Sequence, residues 1–550
     1  MKKIIIVLAA AAFALCGCSG DDGGSSALTV NFDISANPCN EGEDVTFTNK
    51  SKGGKNPYKC EWHIGTETTL NGSAVTYKFT SNGTFVVRLV VTDAAGNKAE
   101  RRKNLVVNPA IVSETGEITL EWVGRMEGYN SISPAAVADD GSVYTTCRDN
   151  HLYKFSPAGE LLWRKAIFTP SSDNSVTYVT PSIDTDGTVF CGGGSTNGDG
   201  VYVAFNPDGT EKWRFKDFWA ASGTATPSCF ALIPGIDENC IYVGNTGTTG
   251  SVISINKATG ERVAFCKHGS SGPVGGARTG IAISGDGTLH WYGGVYGLFG
   301  AVKDNFGAAG ADGADFAWSA FSSSSASDYA QTVTLASLAC TTINGDACVC
   351  GMSTDLISTK LYAVDCKTGR EVSTVRILDT DDQDQGGIVI TPEGYMVGSL
   401  NYTLGQANGG IVVGDPKSSQ IVARYQVQEK VSGAAAVDAA GNIHFGTESG
   451  YYYIVKIAGD NCELLLKRNI ASLITEDPRY ADSFSELYEA KIWCSPTIGD
   501  DGKIYICFTD EDTRAFGGVA VLNYEGCTAP ATSEWPMMGR NRRHTNNQNR

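Results

Sequence analysis

The chain has 550 residues, 42% of them hydrophobic, and 65 glycines, enough for more than one packed domain and at odds with wholesale disorder. Its 60 acidic residues outnumber 43 basic ones, for a net charge of −17; such a surface repels phosphate backbones and excludes nucleic acid as a partner. Glycine at this frequency points to many tight turns between short strands.

The N-terminus reads "MKKIIIVLAAAAFALCGCSGDD". Lys2 and Lys3 precede an apolar segment, residues 4–15, too short for a standard transmembrane helix. "LCGC" resembles a bacterial lipobox, which implies cleavage after residue 17 and lipidation of Cys18. Acyl chains there would anchor the protein by burying methylenes in one membrane leaflet. The following "SGDDGG" resembles the acidic surface-export signals of Gram-negative lipoproteins. Residues 1–17 are therefore expected to be a signal peptide and 18–27 a lipidated tether, placing the protein on the outer membrane, surface-exposed.

Residues 28–108 read as a β-sandwich. "TFVVRLVVTDAAGNK" puts Phe85, Val87, Leu89 and Val91 on one strand face, and "DAAGN" supplies a turn. "EDVTFTNKS" and "YKCEWHIG" add two strands, with Trp62 as a large core aromatic. These segments resemble a PKD domain, an immunoglobulin-like module whose usual role is spacer or contact domain. The loop after the Trp strand departs from that family, with "HIGTE" in place of Gly-Asp-Gly.

From residue 116 to 545 one pattern recurs: "SPAAVADDGSVYTT", "TPSIDTDGTVFCGG", "ALIPGIDENCIYVGN", "GIAISGDGTLHWYGG", "ACTTINGDACVCGM", "GIVITPEGYMVGSL", "AAAVDAAGNIHFGT" and "SPTIGDDGKIYICFT". Each copy is a small-residue strand, an Asp/Gly turn and an aromatic or β-branched strand; third and fourth strands follow most copies. Eight copies at about fifty-residue spacing predict an eight-bladed propeller of four-stranded blades. The expected fold class is therefore all-β, a sandwich followed by a propeller. Fourth strands carry Trp122, Trp163 and Trp213. "GEITLEWVGRM" (residues 116–126) has fourth-strand form but precedes the first inner strand, so it is expected to complete the last blade; "ATSEWPMMGR" is the other candidate. "SPxxxxDDGxxY", "YAVDCKTGREV" and "EWPMMGRNRRHT" resemble the PQQ-like quinoprotein propeller superfamily.

Of the 17 cysteines, those beyond Cys18 show no CxxC pair or metal-like spacing, so buried free thiols are expected rather than a disulfide framework, Cys39 and Cys60 included. The resemblance implies a quinone held against adjacent cysteines beside a calcium ion, but no two cysteines are adjacent here; no PQQ is expected. A polysaccharide lyase would need a convergent base, and His151, His290 and His444 fall in separate blades. The acidic loop with Asp379, Asp381, Asp382 and Asp384 is the candidate for structural calcium.

Loops after the second strands vary while the Asp-Gly turns stay tight, which is how a recognition face is built on a scaffold. Tyr129, Tyr178, Trp219, Tyr296, Phe299, Tyr402, Tyr451 and Phe516 are the candidate ligand-binding aromatics at that variable-loop end. The expected function is non-catalytic binding of a glycan or protein; the alternatives are a scaffold in an outer-membrane complex, as for a known barrel-assembly lipoprotein of the same superfamily, and a propeller enzyme (polysaccharide lyase or quinone-dependent dehydrogenase).

Overall fold

A computed structural model describes residues 27–550 except 66–67, 81, 109, 111, 129–132, 169–174, 177–178, 196–199, 217–232, 245–251, 267–279, 293–297, 303–316, 321–329, 332–336, 356–357, 379–385, 401–408 and 511–514. It divides into two units, residues 1–108 and 109–550. No helix among the described residues is long and apolar enough to cross a membrane.

The first unit is a sandwich of two sheets. Strands Phe32–Ile34, Asp44–Asn49 and Ala74–Lys78 form one; Cys39–Asn40, Lys98–Asn108, Gly83–Thr92, Lys59–Ile64 and Thr68–Asn71 form the other. Period-2 alternation sends Val87, Leu89 and Val91 into the core and leaves Val86 outside. The Trp62 ring meets Phe32 edge-on at 5.2 Å, and its Nε1 donates to Gly72 O at 2.9 Å. In the "DAAGN" turn, Asp93 accepts from the Asn97 side chain and from the backbone amides of Lys55, Ala95 and Asn97. Those bonds, the Asn97 side chain first, hold its carboxyl at about 2.

The second unit is a ring of eight blades, counted among the described residues: five have four strands, and three carry a further two-residue strand (Ser175–Val176, Ala330–Gln331 and Ala490–Lys491). Blade 1, for example, runs outward through Ala136–Val137, Val143–Cys147, His151–Phe155 and Leu161–Ala166. Blades 6 and 7 join edge to edge through a single parallel bridge, Arg424 to Asn461. Closure follows the expectation for the early strand. Thr119–Met126 pairs antiparallel with Gly517–Asn523 as the fourth strand of blade 8, aligning Val123 with Ala520 and Trp122 with Val521.

Fourth-strand tryptophans fasten several blades to their successors. Trp122, Trp163 and Trp213 pack on turn glycines 159, 209 and 260 of the next blade and donate Nε1 to Pro157, Pro207 and Lys257 carbonyls. At Gly159, with φ +88°, a Cβ would lie 2.7 Å from the Trp122 ring, so only glycine accommodates both the turn and the indole. A fourth example escaped the sequence reading: Trp318 packs on Gly369 and donates to Cys366 O at 2.7 Å.

The 14 described cysteines are thiols rather than disulfides; all but Cys240 and Cys462 are buried, Cys39 and Cys60 among them. Burial raises the Cys147 and Cys191 thiols well above their ordinary value. Native protein titrated with a thiol reagent should therefore react at a small minority of its cysteines and at the remainder only after denaturation. Rapid labelling of most thiols in the folded state would contradict this burial.

Candidate functional site: a tyrosine-lined pocket at the variable-loop end

Blade 6 ends its fourth strand at Val427, and blade 7 begins its third strand, Tyr451–Ala458, at the same end of the ring, away from the Asp-Gly turns. In "YYY" the strand alternation splits the rings. Tyr452 turns into the blade, where its hydroxyl lies 2.9 Å from His444 Nδ1. Tyr451 and Tyr453 turn the other way, toward Tyr425 of blade 6. They enclose a pocket of about 310 Å³, lined also by Glu429, Lys467 and the chain before blade 8 at Ala110 and Val112.

Lys467 organises the pocket. Its Nζ lies 4.4 Å from the Tyr451 ring centroid and 5.4 Å from that of Tyr453, a cation–π arrangement. The same ammonium donates to Val112 O at 2.9 Å and lies 3.5 Å from Glu429 Oε1. Tyr453 donates its hydroxyl to that carboxylate oxygen at 3.0 Å. Burial, then Glu429, pushes the Tyr425 hydroxyl up to about 12 and the Tyr453 hydroxyl further, so both phenols stay neutral. Backbone bonds between Thr115 and Lys467 in both directions, at 3.0 and 3.1 Å, pin the lining chain along blade 7. The charges thus answer one another inside the pocket, which offers a ligand tyrosine surface and neutral hydrogen-bonding groups.

Of the aromatics expected at this end, Tyr451 is in the pocket. Phe516 is not a surface ring: it is 2% exposed, packed against Phe484 at 6.0 Å and under the Arg125 guanidinium at 3.8 Å. Phe299 falls within the third strand of blade 4, paired with Trp291, rather than in a loop. Tyr129, Tyr178, Trp219, Tyr296 and Tyr402 lie outside the described residues, as do Cys18 and the acidic loop with Asp379, Asp381, Asp382 and Asp384. Sequence reading missed Tyr425, Tyr453, Glu429 and Lys467, which sit on strands or at their ends. A usable signal was present: blade 1 carries Tyr153 opposite Arg164 where blade 7 pairs Tyr453 with Lys467.

The histidines serve the scaffold. His151 leans on Asp149, and His290 lies 2.9 Å from Ser284, its ring driven down to about 3 by burial. Among the described residues, one group brings three metal-type ligands together: Asp438, His444 and Cys527. The Asp438 carboxylate there is already engaged by the Ala440 and Asn442 amides, the Asn442 side chain and His444. Burial, then Asp438, holds the Cys527 thiol at about 12. Blade 3 uses the same strand positions for an Asp237–Tyr242 bond, which marks the pairing as a fold device. Among the described residues that cluster does not fit the quinone-and-calcium arrangement implied by the resemblance, and the sequence holds no adjacent cysteine pair.

Comparison with known proteins agrees with the two-part architecture. No curated protein sequence matches the chain. Among solved structures, it is similar to the quinohemoprotein alcohol dehydrogenase ADHIIG of Pseudomonas putida HK5, with TM-score 0.52 and 14% identity over 76% of this chain and 78% of that one. It is likewise similar to a europium-containing methanol dehydrogenase, with TM-score 0.52 and 13% identity over 74% of this chain and 95% of that one. Identity this low carries fold and not activity. The chain therefore has a propeller similar in fold to those of these dehydrogenases, and residues 28–106 match the PKD domain family.

Proposed function

We propose that this protein is a lipid-anchored, non-catalytic binding protein of the outer-membrane surface. Its propeller takes an uncharged glycan at the tyrosine-lined pocket, with the PKD domain as spacer. The observation that carries the reading is the pairing of Lys467 with Glu429, the ammonium lying over the Tyr451 ring. A site built for an anionic sugar would leave its cation unanswered, whereas this one neutralises it and presents an aromatic surface, which suits stacking on a pyranose. "LCGC" and "SGDDGG" supply the anchor and the direction of export.

A glycan array probed with the soluble chain tests the ligand. Retention on neutral polysaccharides that free oligosaccharide competes away is the expected result. Capture of an outer-membrane assembly partner with no glycan retained would favour the scaffold alternative. Anchoring is tested by Cys18→Ala: the variant is expected to leave the detergent phase, and unchanged partitioning would refute the lipoprotein reading.

A further inference from the structure

The chain enters the second unit at residue 109 and passes the tyrosine-lined pocket before it reaches the ring. Ala110 and Val112 line that pocket, yet both are exposed, as are residues 113–115; Val112 is 39% exposed. Their grip on blade 7 is short. Val112 O accepts from Lys467 Nζ at 2.9 Å, Glu114 lies 3.5 Å from Arg468, and Thr115 exchanges two backbone bonds with Lys467. Solvent-exposed contacts of these kinds contribute little each.

Beyond Thr115 the hold changes. Gly116 lies so close to blade 7 that a Cβ would collide with Leu465 O, and Ile118 is only 7% exposed. Thr119–Met126 is then paired along its length in blade 8. A weakly held stretch that walls the pocket is thus followed by a firm one that belongs to the ring.

With the anchor at Cys18 and the ligand on the propeller, any pull between membrane and glycan runs through this stretch. Load arriving from residue 109 reaches Ala110 and Val112 first, and contacts loaded from one end break one at a time rather than together. We propose, resting on the glycan reading above, that Ala110 and Val112 form a load-sensitive wall of the pocket. Tension on the anchored end strips the wall from Lys467, opens the pocket and releases the glycan. Peeling stops at Ile118, so the ring stays intact.

Glu114 and Arg468 face each other as the non-hydrogen-bonded pair beside Thr115 and Lys467, a spacing that a disulfide accepts. Neither lines the pocket. Glu114→Cys combined with Arg468→Cys therefore staples the stretch to blade 7, reversibly by reductant. The full chain is held at its N-terminal end, or by a tag after Arg550, and pulled by a bead coated with the neutral polysaccharide that the array retains best. At equal load the N-terminal attachment is expected to give bonds about tenfold shorter-lived, the factor that one or two lost hydrogen bonds represent. The oxidised staple should abolish that difference and leave affinity at zero load unchanged. Pulled between its two ends without glycan, the parent should lengthen by roughly 20 Å, the span of some six extended residues, before either unit unfolds; the staple should remove that step. Equal lifetimes from both ends, a staple without effect, or no such step would overturn the proposal. If no neutral polysaccharide is held at zero load, the glycan reading fails and release fails with it, while the ligand-free step still shows whether the wall peels.

Discussion

Trp122→Ala is expected to destabilise the propeller by about 3–5 kcal/mol, the usual cost of emptying a buried indole site. Trp122 is 4% exposed and stands on Thr119–Met126, the strand that the N-terminal side of the ring contributes to blade 8. Its ring also covers Gly159 and lies 6.1 Å from Phe155, while its Nε1 donates to Pro157 O; all three belong to blade 1. One side chain thus serves the last blade, the first blade and the seam between them. Truncation removes apolar burial and a hydrogen bond at the point where the ring must close. Denaturant unfolding of the propeller transition reads the effect. Trp163→Ala, at a partly exposed ring between blades 1 and 2, should cost distinctly less. A Trp122→Ala loss below about 1 kcal/mol would show that closure does not rest on this contact.

Tyr451→Ala should weaken glycan retention by roughly five- to a hundredfold, the range for losing one stacked ring, about 1–3 kcal/mol by analogy with base stacking. Its ring is partly exposed and lies under the Lys467 ammonium, so the folded structure should tolerate the change with a small shift in Tm. Tyr453 is the contrasting position: at 1% exposure, stacked on Phe445 at 5.1 Å, its truncation should unfold blade 7 before binding is read. Isothermal titration with the best array ligand distinguishes the cases. Unchanged affinity in Tyr451→Ala would move the ligand away from this pocket.

The propeller was legible because its signals are local. Each Asp-Gly turn needs positive φ, and Gly141, Gly187, Gly287, Gly441 and Gly502 supply it. Small residues on the inner strands mark the crowded axis at the same spacing. What escaped notice was what the chain assembles from a distance. Trp318 has the role of Trp213, but residues 303–316 separate its strand from the preceding one and break the spacing. Phe516 reads as a loop aromatic because glycines follow it; only the fold brings Phe484 and Arg125 against its ring. The pocket needs Tyr425 from one blade and Tyr453 from the next, and neither strand announces which neighbour it will face. Residues 529–550 show a motif, "EWPMMGRNRRHT", but not the blades it meets: Trp535 and Met537 enter different core clusters only once the ring is assembled.

The strand pairing in blade 8 also sets an order of events during biogenesis. Thr119 and Asn523 are 404 positions apart, so the first strand of the ring to emerge waits for nearly the whole chain before it finds its partner. Contacts of such long sequence separation form slowly, because loop-closure entropy is lost before they contribute. Blades 1 to 7 have their own strands and can assemble as the chain appears. Until the end arrives, Thr119–Met126 has no partner and would expose an unpaired strand edge, a template for wrong association. A chain of this topology therefore depends on remaining unfolded, or escorted, until its last strand has emerged.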